Sequence, residues 1–353
     1  FSGGDVYSNT FSGGEVYNNT FSSYVNNNTF SGDVNSNTFS GDVYTNTFSG
    51  DVYSNTFSDS VTNNTFSGNV NNNTFSGGVN SNTFSGGNVT NNTFSGGVNT
   101  NTFSGDVNNN TFSGNVYSNT FSGGEVYSNT FSNYVYSNTF SGKVYSNTFS
   151  GYVNNNTFSG GNVYNNTFSG GNVTNNTFSG KVYSNTFSGG VNTNTFSGNV
   201  YSNTFSGNVN NNTFGNVNTN TFSSYVYNNT FGEVSNNTFS GYVNSNTFSG
   251  YVNSNTFSGG VYRNTFSGEV SNNTFNGYVI TSTFSGNVIV NTFSGIVLRY
   301  VTIADDLQNK TINDVTYPFL FNTDYKKEIL KGSNASNYIR YFDGTNDVNT
   351  LIP

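Results

Sequence analysis

Few residues of this chain could carry catalytic chemistry. The sequence contains no histidine and no cysteine, which removes the commonest general base and the thiol nucleophile. Most carboxylates before residue 298 stand singly in front of a valine: Asp5, Glu15, Asp33, Asp42, Asp51, Asp106, Glu125, Glu233 and Glu269. A glycosidase needs two carboxylates that face each other across a cleft, and this pattern indicates no such pair. We therefore predict a protein that is not an enzyme and needs no cofactor.

The isolated carboxylates are explained most simply as solvated charges that keep the protein soluble. A weak calcium site is the alternative at Asp33 and Asp51, which repeat stacking would place side by side. Four further acids occur near the C-terminus in turn-like contexts, and we interpret them as turn residues: Asp305, Asp306, Asp343 and Asp347. No resident metal is predicted.

Hydroxyl side chains are more regular than the acids. Thr-Phe-Ser recurs in nearly every stretch of nine residues, as in Thr38 and Ser40 on either side of Phe39. Because side chains alternate across a strand, both hydroxyls face away from the phenylalanine, and stacked units would form a regular hydroxyl array. Such an array is either an ordinary hydrated sheet face or an ice-binding surface.

Tyrosine often follows valine and would also point outward. Examples are Tyr7, Tyr17, Tyr44, Tyr53, Tyr117, Tyr127, Tyr136 and Tyr145. These rings could stack on sugars or pack between neighbouring molecules, or they could reflect strand propensity alone. The sequence does not decide among these three interpretations.

A nine-residue repeat, N-T-F-S-G-x-V-x-x, positions all of these residues from Phe1 to Val297. Phenylalanine opens a unit at 33 positions; of the 32 intervals between them, 24 are nine residues long, six are ten and two are eight. A fixed short period is typical of one structural unit stacked on copies of itself. The length changes fall between Phe and Val, as at residues 2–6 and 214–217, which predicts a surface corner there.

Phenylalanine and valine are the apolar positions of the unit. Thr-Phe-Ser and x-Val-x are predicted as short strands with Phe and Val inward, joined by an Asn-rich bend, because Asn tolerates left-handed backbone. The abundance of Gly, Asn, Ser and Thr excludes helix. The predicted core includes Phe39, Val43, Phe48, Val52, Phe103, Val107, Phe149, Val153, Phe205 and Val209. The asparagine before Thr is predicted to form a corner ladder, with Asn37, Asn46, Asn55, Asn101, Asn147 and Asn203 among its members.

The fold class follows from stacking and volume. Parallel coils place like residues beside like, whereas an antiparallel meander would not. One unit has a contour of only about 30 Å at roughly 3.3 Å per residue, too tight to enclose a Phe and a Val. We predict an all-β parallel β-solenoid with two units, about 18 residues, per coil and roughly 16 coils; three units per coil is the alternative.

Residues 298–353 leave the repeat, so the predicted domains are a shaft at 1–297 and a small β-rich domain at 298–353. In the second domain, 337–342 before Asp343-Gly344 is typical of a hairpin arm. The region is small for an autonomous domain. We expect it to pack on the last coil or on neighbouring copies of the protein.

Charge and hydropathy exclude some partners. A net charge of −8 at pH 7 argues against nucleic acid and anionic membrane, and no apolar stretch of about 18 residues is present. The chain begins at Phe1 in mid-repeat, and an uncapped coil would offer unpaired strand edges to another copy. This favours an end-to-end filament as one functional alternative.

Units such as 37–41 (Asn-Thr-Phe-Ser-Gly) and 228–232 (Asn-Asn-Thr-Phe-Gly) resemble short-repeat proteins of Bacteroidota and their tailed phages, which are built from N-T-F-G or N-T-F-S-G units. The resemblance covers Phe1 to about Val297. It implies a rigid, non-enzymatic tail fibre or similar appendage, extracellular or on a virion surface. The implied partners are other copies of the chain, virion or cell-surface proteins and, as a further candidate, host glycans. A weaker similarity, with Phe in place of Val, links the unit to N-T-V-S-G repeats of grass ice-binding proteins.

Overall fold

The computed structural model describes residues 3–294 and, beyond them, the backbone of six short strands between Val297 and Ile352. The chain divides into two compact units, Phe1–Lys181 and Val182–Pro353. Both units are built from the same repeat, and each is described by itself.

Each unit is a parallel β-solenoid whose strands are only two residues long. Every strand up to Thr292–Phe293 is either Thr-Phe or a valine with its successor. A representative coil of the first unit consists of the strands Val25–Asn26, Thr29–Phe30, Val34–Asn35 and Thr38–Phe39. A representative coil of the second unit consists of Val200–Tyr201, Thr204–Phe205, Val209–Asn210 and Thr213–Phe214. Two repeats therefore make one four-sided coil, which confirms the predicted coil size.

Strand pairing keeps equivalent residues together whatever the length of the repeat. Phe48 pairs with Phe66, 18 residues later. Val153 pairs with Val173 across two ten-residue repeats, and Val217 pairs with Val234 across an eight-residue repeat. The corner before valine absorbs the difference, as predicted, because it lies outside the ladders.

The corners bring the backbones of successive coils close together. At Gly68, an added Cβ would lie 2.6 Å from the carbonyl carbon of Gly50 in the preceding coil. The glycine of the repeat is therefore required by a close backbone approach.

The core of each unit consists of phenylalanine and valine columns. All repeat phenylalanines from Phe21 to Phe284 are at most 2% exposed, including the predicted core residues Phe39, Phe48, Phe103, Phe149 and Phe205. Rings in successive coils stack at the coil spacing, as Phe30 does on Phe48 at 4.8 Å. The rings of one column are perpendicular to those of the other; Phe21 meets Phe30 edge to face at 6.3 Å. The predicted valines are equally buried: Val43, Val52, Val107, Val153 and Val209.

The asparagine before each Thr-Phe strand lies inside the coil. The predicted ladder members are each 1% exposed: Asn37, Asn46, Asn55, Asn101, Asn147 and Asn203. Asn46 Oδ1 accepts from the backbone N–H of Asn28 at 2.8 Å, and Asn46 Nδ2 donates to the carbonyl of Val25 at 2.8 Å. The amide therefore satisfies backbone groups of the preceding coil that the two-residue strands leave unpaired.

The bend lies one residue before this asparagine. The second residue after valine has a left-handed backbone in coil after coil, with φ between 50° and 60° at positions such as Asn27, Ser36 and Thr45. This conformation costs L-residues about 1–2 kcal/mol, least for Asn and Gly. The prevalence of Asn here follows from that cost.

Replacing a β-branched residue at this bend is expected to stabilise the first unit. Thr100 has φ 59°, so Thr100→Asn should gain about 1 kcal/mol. Thermal unfolding and hydrogen exchange of this coil measure the gain. The control is Thr102→Asn in the adjacent strand, where Asn is disfavoured. A gain in both variants, or in neither, would contradict the assignment of strain to the bend.

Beyond the repeats the strands are antiparallel. Lys310–Ile312 pairs with Val315–Tyr317. Asn337–Phe342 pairs on one side with Lys327–Lys331 and on the other with Asp347–Ile352, in agreement with the predicted hairpin arm. Among the acids predicted to lie in turns, Asp347 begins a strand, and Asp305, Asp306 and Asp343 lie outside the described residues.

Candidate functional surfaces

The described residues assemble no metal centre. Within residues 3–294, no group of three or more acidic side chains is placed to hold a metal ion. The solenoid interior is filled by Phe, Val and Asn side chains. Any function of this part of the chain therefore depends on its outer surface.

Two corners of the first unit carry different residues. One corner holds most of the charge, at Glu15, Asp33, Asp51, Asp106, Glu125, Lys143 and Lys181. The opposite corner holds Asp5, Tyr24, Asp42, Tyr134 and Tyr152 among Ser, Gly and Asn residues. Sequence analysis missed this difference because consecutive repeats alternate between corners. The difference becomes visible when the residues that directly precede valine are taken from alternate repeats and read as one row.

The corner carboxylates have a structural role besides solvation. Asp33 Oδ1 accepts the backbone N–H of Asp51 at 2.8 Å, and Asp51 Oδ1 accepts that of Asn69 at 2.7 Å. Asp106 does the same for Glu125 at 2.8 Å. Asp33 and Asp51 are neighbours, as stacking predicts, but they cap backbone donors of the following coil. This hydrogen bond to the backbone N–H of the following coil explains why Asp or Asn often occupies this corner.

Glu125 is the centre of a small polar cluster on the charged corner. Its carboxylate accepts from Lys143 Nζ at 2.7 Å and from the Tyr145 hydroxyl at 2.8 Å. Hydrogen bonds from Lys143 and then Tyr145 hold the pKa of Glu125 below its usual value. Burial, followed by the hydrogen bond to Glu125 and its charge, raises the pKa of Tyr145 well above its usual 10.0.

The contacts of this cluster should be detectable in the titration of Tyr145. The raised pKa of Tyr145 means that the folded state favours the neutral phenol, so this contribution to stability is complete below pH 10 and declines as the pH rises further. Glu125→Gln removes the negative charge and is expected to lower the pKa of Tyr145. Carbon-13 NMR of labelled tyrosine measures that shift, with Tyr145→Phe identifying the signal. An unchanged Tyr145 titration in Glu125→Gln would contradict the assigned cause.

Threonine occupies the outward position of every Thr-Phe strand. All 32 such strands of the described solenoid carry it, and none of these side chains is buried. Equivalent threonines lie in register, as Thr47 does with Thr65. Within residues 3–294, their hydroxyls form no hydrogen bond to the protein. The outward position after valine varies among Tyr, Asn, Thr, Ser and Ile, so exposed strand geometry alone does not require threonine.

Outward tyrosines stack on one another where successive coils carry them. In the first unit, Tyr145 lies between Tyr127 at 5.0 Å and Tyr164 at 4.9 Å. In the second unit, Tyr183 stacks on Tyr201 at 4.9 Å. These spacings follow from the coil repeat. The tyrosines therefore form short aromatic rows that sequence periodicity alone did not reveal.

Comparisons with known proteins identify no family. No protein-family model matches the chain, and no curated protein matches it significantly. One similar solved structure is HetL, a pentapeptide repeat protein involved in heterocyst differentiation regulation from the cyanobacterium Nostoc sp. strain PCC 7120. It has 5% identity and a TM-score of 0.18, over 65% of this chain and 85% of HetL.

A second solved structure is ORF18 of Geobacillus virus E2. It has 10% identity and a TM-score of 0.17, over 99% of this chain and 68% of the viral chain. The described residues also form no helix long and apolar enough to cross a membrane. The function is therefore argued from the repeat architecture and its surface.

Proposed function

We propose that the protein is a structural shaft component of a virion tail fibre or a similar extracellular appendage. The observation that carries this proposal is the uniformity of the coils. The same Phe, Val and Asn side chains fill the interior of coil after coil, and the same backbone ladders join neighbouring coils. Such a repeat extends by addition of identical units, which suits a role in reach and stiffness.

The proposal assigns attachment to residues 298–353, where the repeat ends and antiparallel strands begin. Partners would be other copies of the chain or proteins of a virion or cell surface. A long filament of copies assembled end to end is the alternative within the same structural class.

Electron microscopy of native source material, with antibodies against the solenoid repeats, tests this proposal. Label on short projections from virions or cells is the expected result. Continuous label along filaments many times longer than one molecule would favour the filament alternative. Label confined to dispersed, unattached molecules would contradict both structural roles.

The threonine rows favour a second candidate function, ice binding. Within residues 3–294, outward threonine hydroxyls repeat from coil to coil without hydrogen-bond partners in the protein, and each threonine also presents a methyl group. A regular array of this kind can order water and adsorb to a crystalline surface. Thermal hysteresis measures this activity directly.

If ice binding is the function, replacing Thr65, Thr83 and Thr102 together by tyrosine should lower hysteresis markedly, because bulky rings interrupt one of the two threonine rows. The matched control replaces Thr62, Thr90 and Thr174, which follow valine on the other faces of the coils. Absence of hysteresis in the unmodified protein, or equal loss in both variants, would reject this candidate.

A further inference from the structure

One corner of the second unit carries a row of tyrosines whose rings, unlike those of the other tyrosine rows, are not parallel. Its residues before valine are Tyr225, Tyr242, Gly260 and Tyr278 in successive coils, as the backbone hydrogen bonds from Val209, Val226, Val243 and Val261 show. Tyr225 and Tyr242 are 51% and 45% exposed. Gly260, which has no side chain, interrupts this row of tyrosines.

Tyr262 fills the gap that Gly260 leaves. A Cβ added at Gly260 would lie 2.6 Å from Cζ and from Oη of Tyr262, so the tyrosine ring covers the glycine. Gly260 is accordingly buried, and Tyr262 is half-buried. Burial, and to a smaller extent Tyr242 and Tyr278, raises the pKa of Tyr262, in keeping with a ring placed within the row.

The rings of this row spread apart where other tyrosine rows are parallel. Tyr225 and Tyr242 lie 5.4 Å apart at 19°, and Tyr242 and Tyr262 lie 5.7 Å apart at 49°. For comparison, Tyr183 and Tyr201 are inclined by only 3°. The spread opens a groove of about 420 Å³ on the outer surface.

The chemistry of the groove selects a class of ligand. Its lining consists of Tyr225, Tyr227, Tyr242, Asn244 and Tyr262. It contains aromatic faces, phenol hydroxyls and one amide, with no charged and no aliphatic side chain. Rings offer apolar contact while hydroxyl and amide groups donate and accept hydrogen bonds. An uncharged molecule with flat C–H faces and many hydroxyl groups matches this lining, whereas an ionic or purely apolar ligand does not.

We propose that this groove, formed by Tyr225, Tyr242, Tyr262 and Asn244, binds an extended β-1,4-linked neutral glycan. One sugar ring of such a ribbon-like chain lies in the wedge between Tyr242 and Tyr262, whose rings are inclined by 49°. The neighbouring sugar rings contact the outward edges of Tyr225 and Tyr242, which are stacked on each other. Their hydroxyls exchange hydrogen bonds with the phenols and with Asn244. The row advances by one ring per coil, so that a chain lying along it meets successive tyrosines. The site is independent of the structural role proposed above.

Binding of cellohexaose and of hexa-N-acetylchitohexaose to the whole chain, by calorimetry and by NMR of labelled tyrosine, tests the proposal. At least one hexasaccharide should bind. Tyr242→Asn should weaken that binding about tenfold or more through loss of ring stacking. Asparagine occupies the same corner at Asn208, so the fold should tolerate this change. Gly260→Ala should also weaken binding, because its methyl group displaces the Tyr262 ring.

The matched control is Tyr251→Asn. Tyr251 is 61% exposed, but it lies on the other corner, where Asn216 stands two coils earlier. This variant should bind as the unmodified chain does. The proposal is overturned if neither hexasaccharide binds at millimolar concentration, if Tyr251→Asn loses as much affinity as Tyr242→Asn, or if a sulfated hexasaccharide binds more tightly than the neutral ones.

Sedimentation of the same variants separates a contact between copies from glycan binding. If Tyr242→Asn reduces self-association and leaves hexasaccharide affinity unchanged, the groove is an interface between copies and the proposal is wrong. Unchanged sedimentation together with lost glycan affinity is the expected result.

Discussion

A Phe239→Ala variant is expected to lose about 3–5 kcal/mol of local stability in the second unit. Phe239 is fully buried and stacks on Phe222 at 4.7 Å and on Phe257 at 4.8 Å. It also meets Phe231 and Phe248 edge to face at 6.4 and 6.5 Å. Truncation interrupts a column and leaves a cavity that neighbouring coils, fixed by their backbone ladders, cannot close.

Hydrogen exchange measured by mass spectrometry is the suitable assay, because long repeat arrays do not unfold in a single two-state step. Protection should fall most in the coils on either side of residue 239. Ser240→Ala, at an exposed neighbour, should leave exchange unchanged, and Phe239→Leu should retain most of the stability. Equal exchange in the Ala and Leu variants would show that the cavity left by truncation is not the cause.

Asn212→Ala is expected to destabilise its coil by roughly 2–6 kcal/mol, at about 1–3 kcal/mol for each buried group left without a partner. Asn212 Oδ1 accepts the N–H of Asn194 at 2.8 Å. Its Nδ2 donates to the carbonyl of Val191 at 2.8 Å and to Asn229 Oδ1 at 2.9 Å. Alanine restores none of these hydrogen bonds, and water cannot replace them in the filled interior.

The control for this substitution is Asn192→Ser. Asn192 follows valine on the preceding coil and is half-buried, and serine already occupies that position of the repeat at Ser235 and Ser271. We expect local exchange to rise by two or more orders of magnitude in Asn212→Ala and to change little in Asn192→Ser. Similar exchange in the two variants would mean that the ladder contributes no more than an ordinary polar strand residue.

Much of the solenoid could be predicted because translational repetition places each residue beside its own kind. The alternation of strand side chains assigns Phe39 and Val43 to the interior. One repeat is too short to enclose a Phe and a Val, and this volume argument favoured two repeats per coil over the alternative of three. The same reasoning located the length changes at the corners, and the bend in the Asn-rich segment.

The inward Asn37 ladder was harder to predict. Sequence shows a constant polar residue next to the bend, but it does not show whether the amide faces water or the backbone of the preceding coil. Two-residue strands decide this point, because they leave the carbonyl of Val16, in the coil before, to be satisfied by Asn37 Nδ2.

The corner rows and the tyrosine groove could not be predicted, because they depend on positions where the sequence departs from the repeat. Which corner residues form one row depends on the summed lengths of the intervening repeats, and consecutive repeats alternate between two corners. The position of the Tyr262 ring depends on Gly260, which only the folded chain places beneath it.

The sequence by itself therefore determined the all-β solenoid and its apolar core, since these follow from periodicity and side-chain alternation, while volume favoured two repeats per coil over three. Tertiary structure alone decided the direction of the buried amides, the different character of the corners and the groove beside Tyr242. These depend on contacts between side chains in successive coils, where the chain departs from exact repetition and the periodic argument no longer applies.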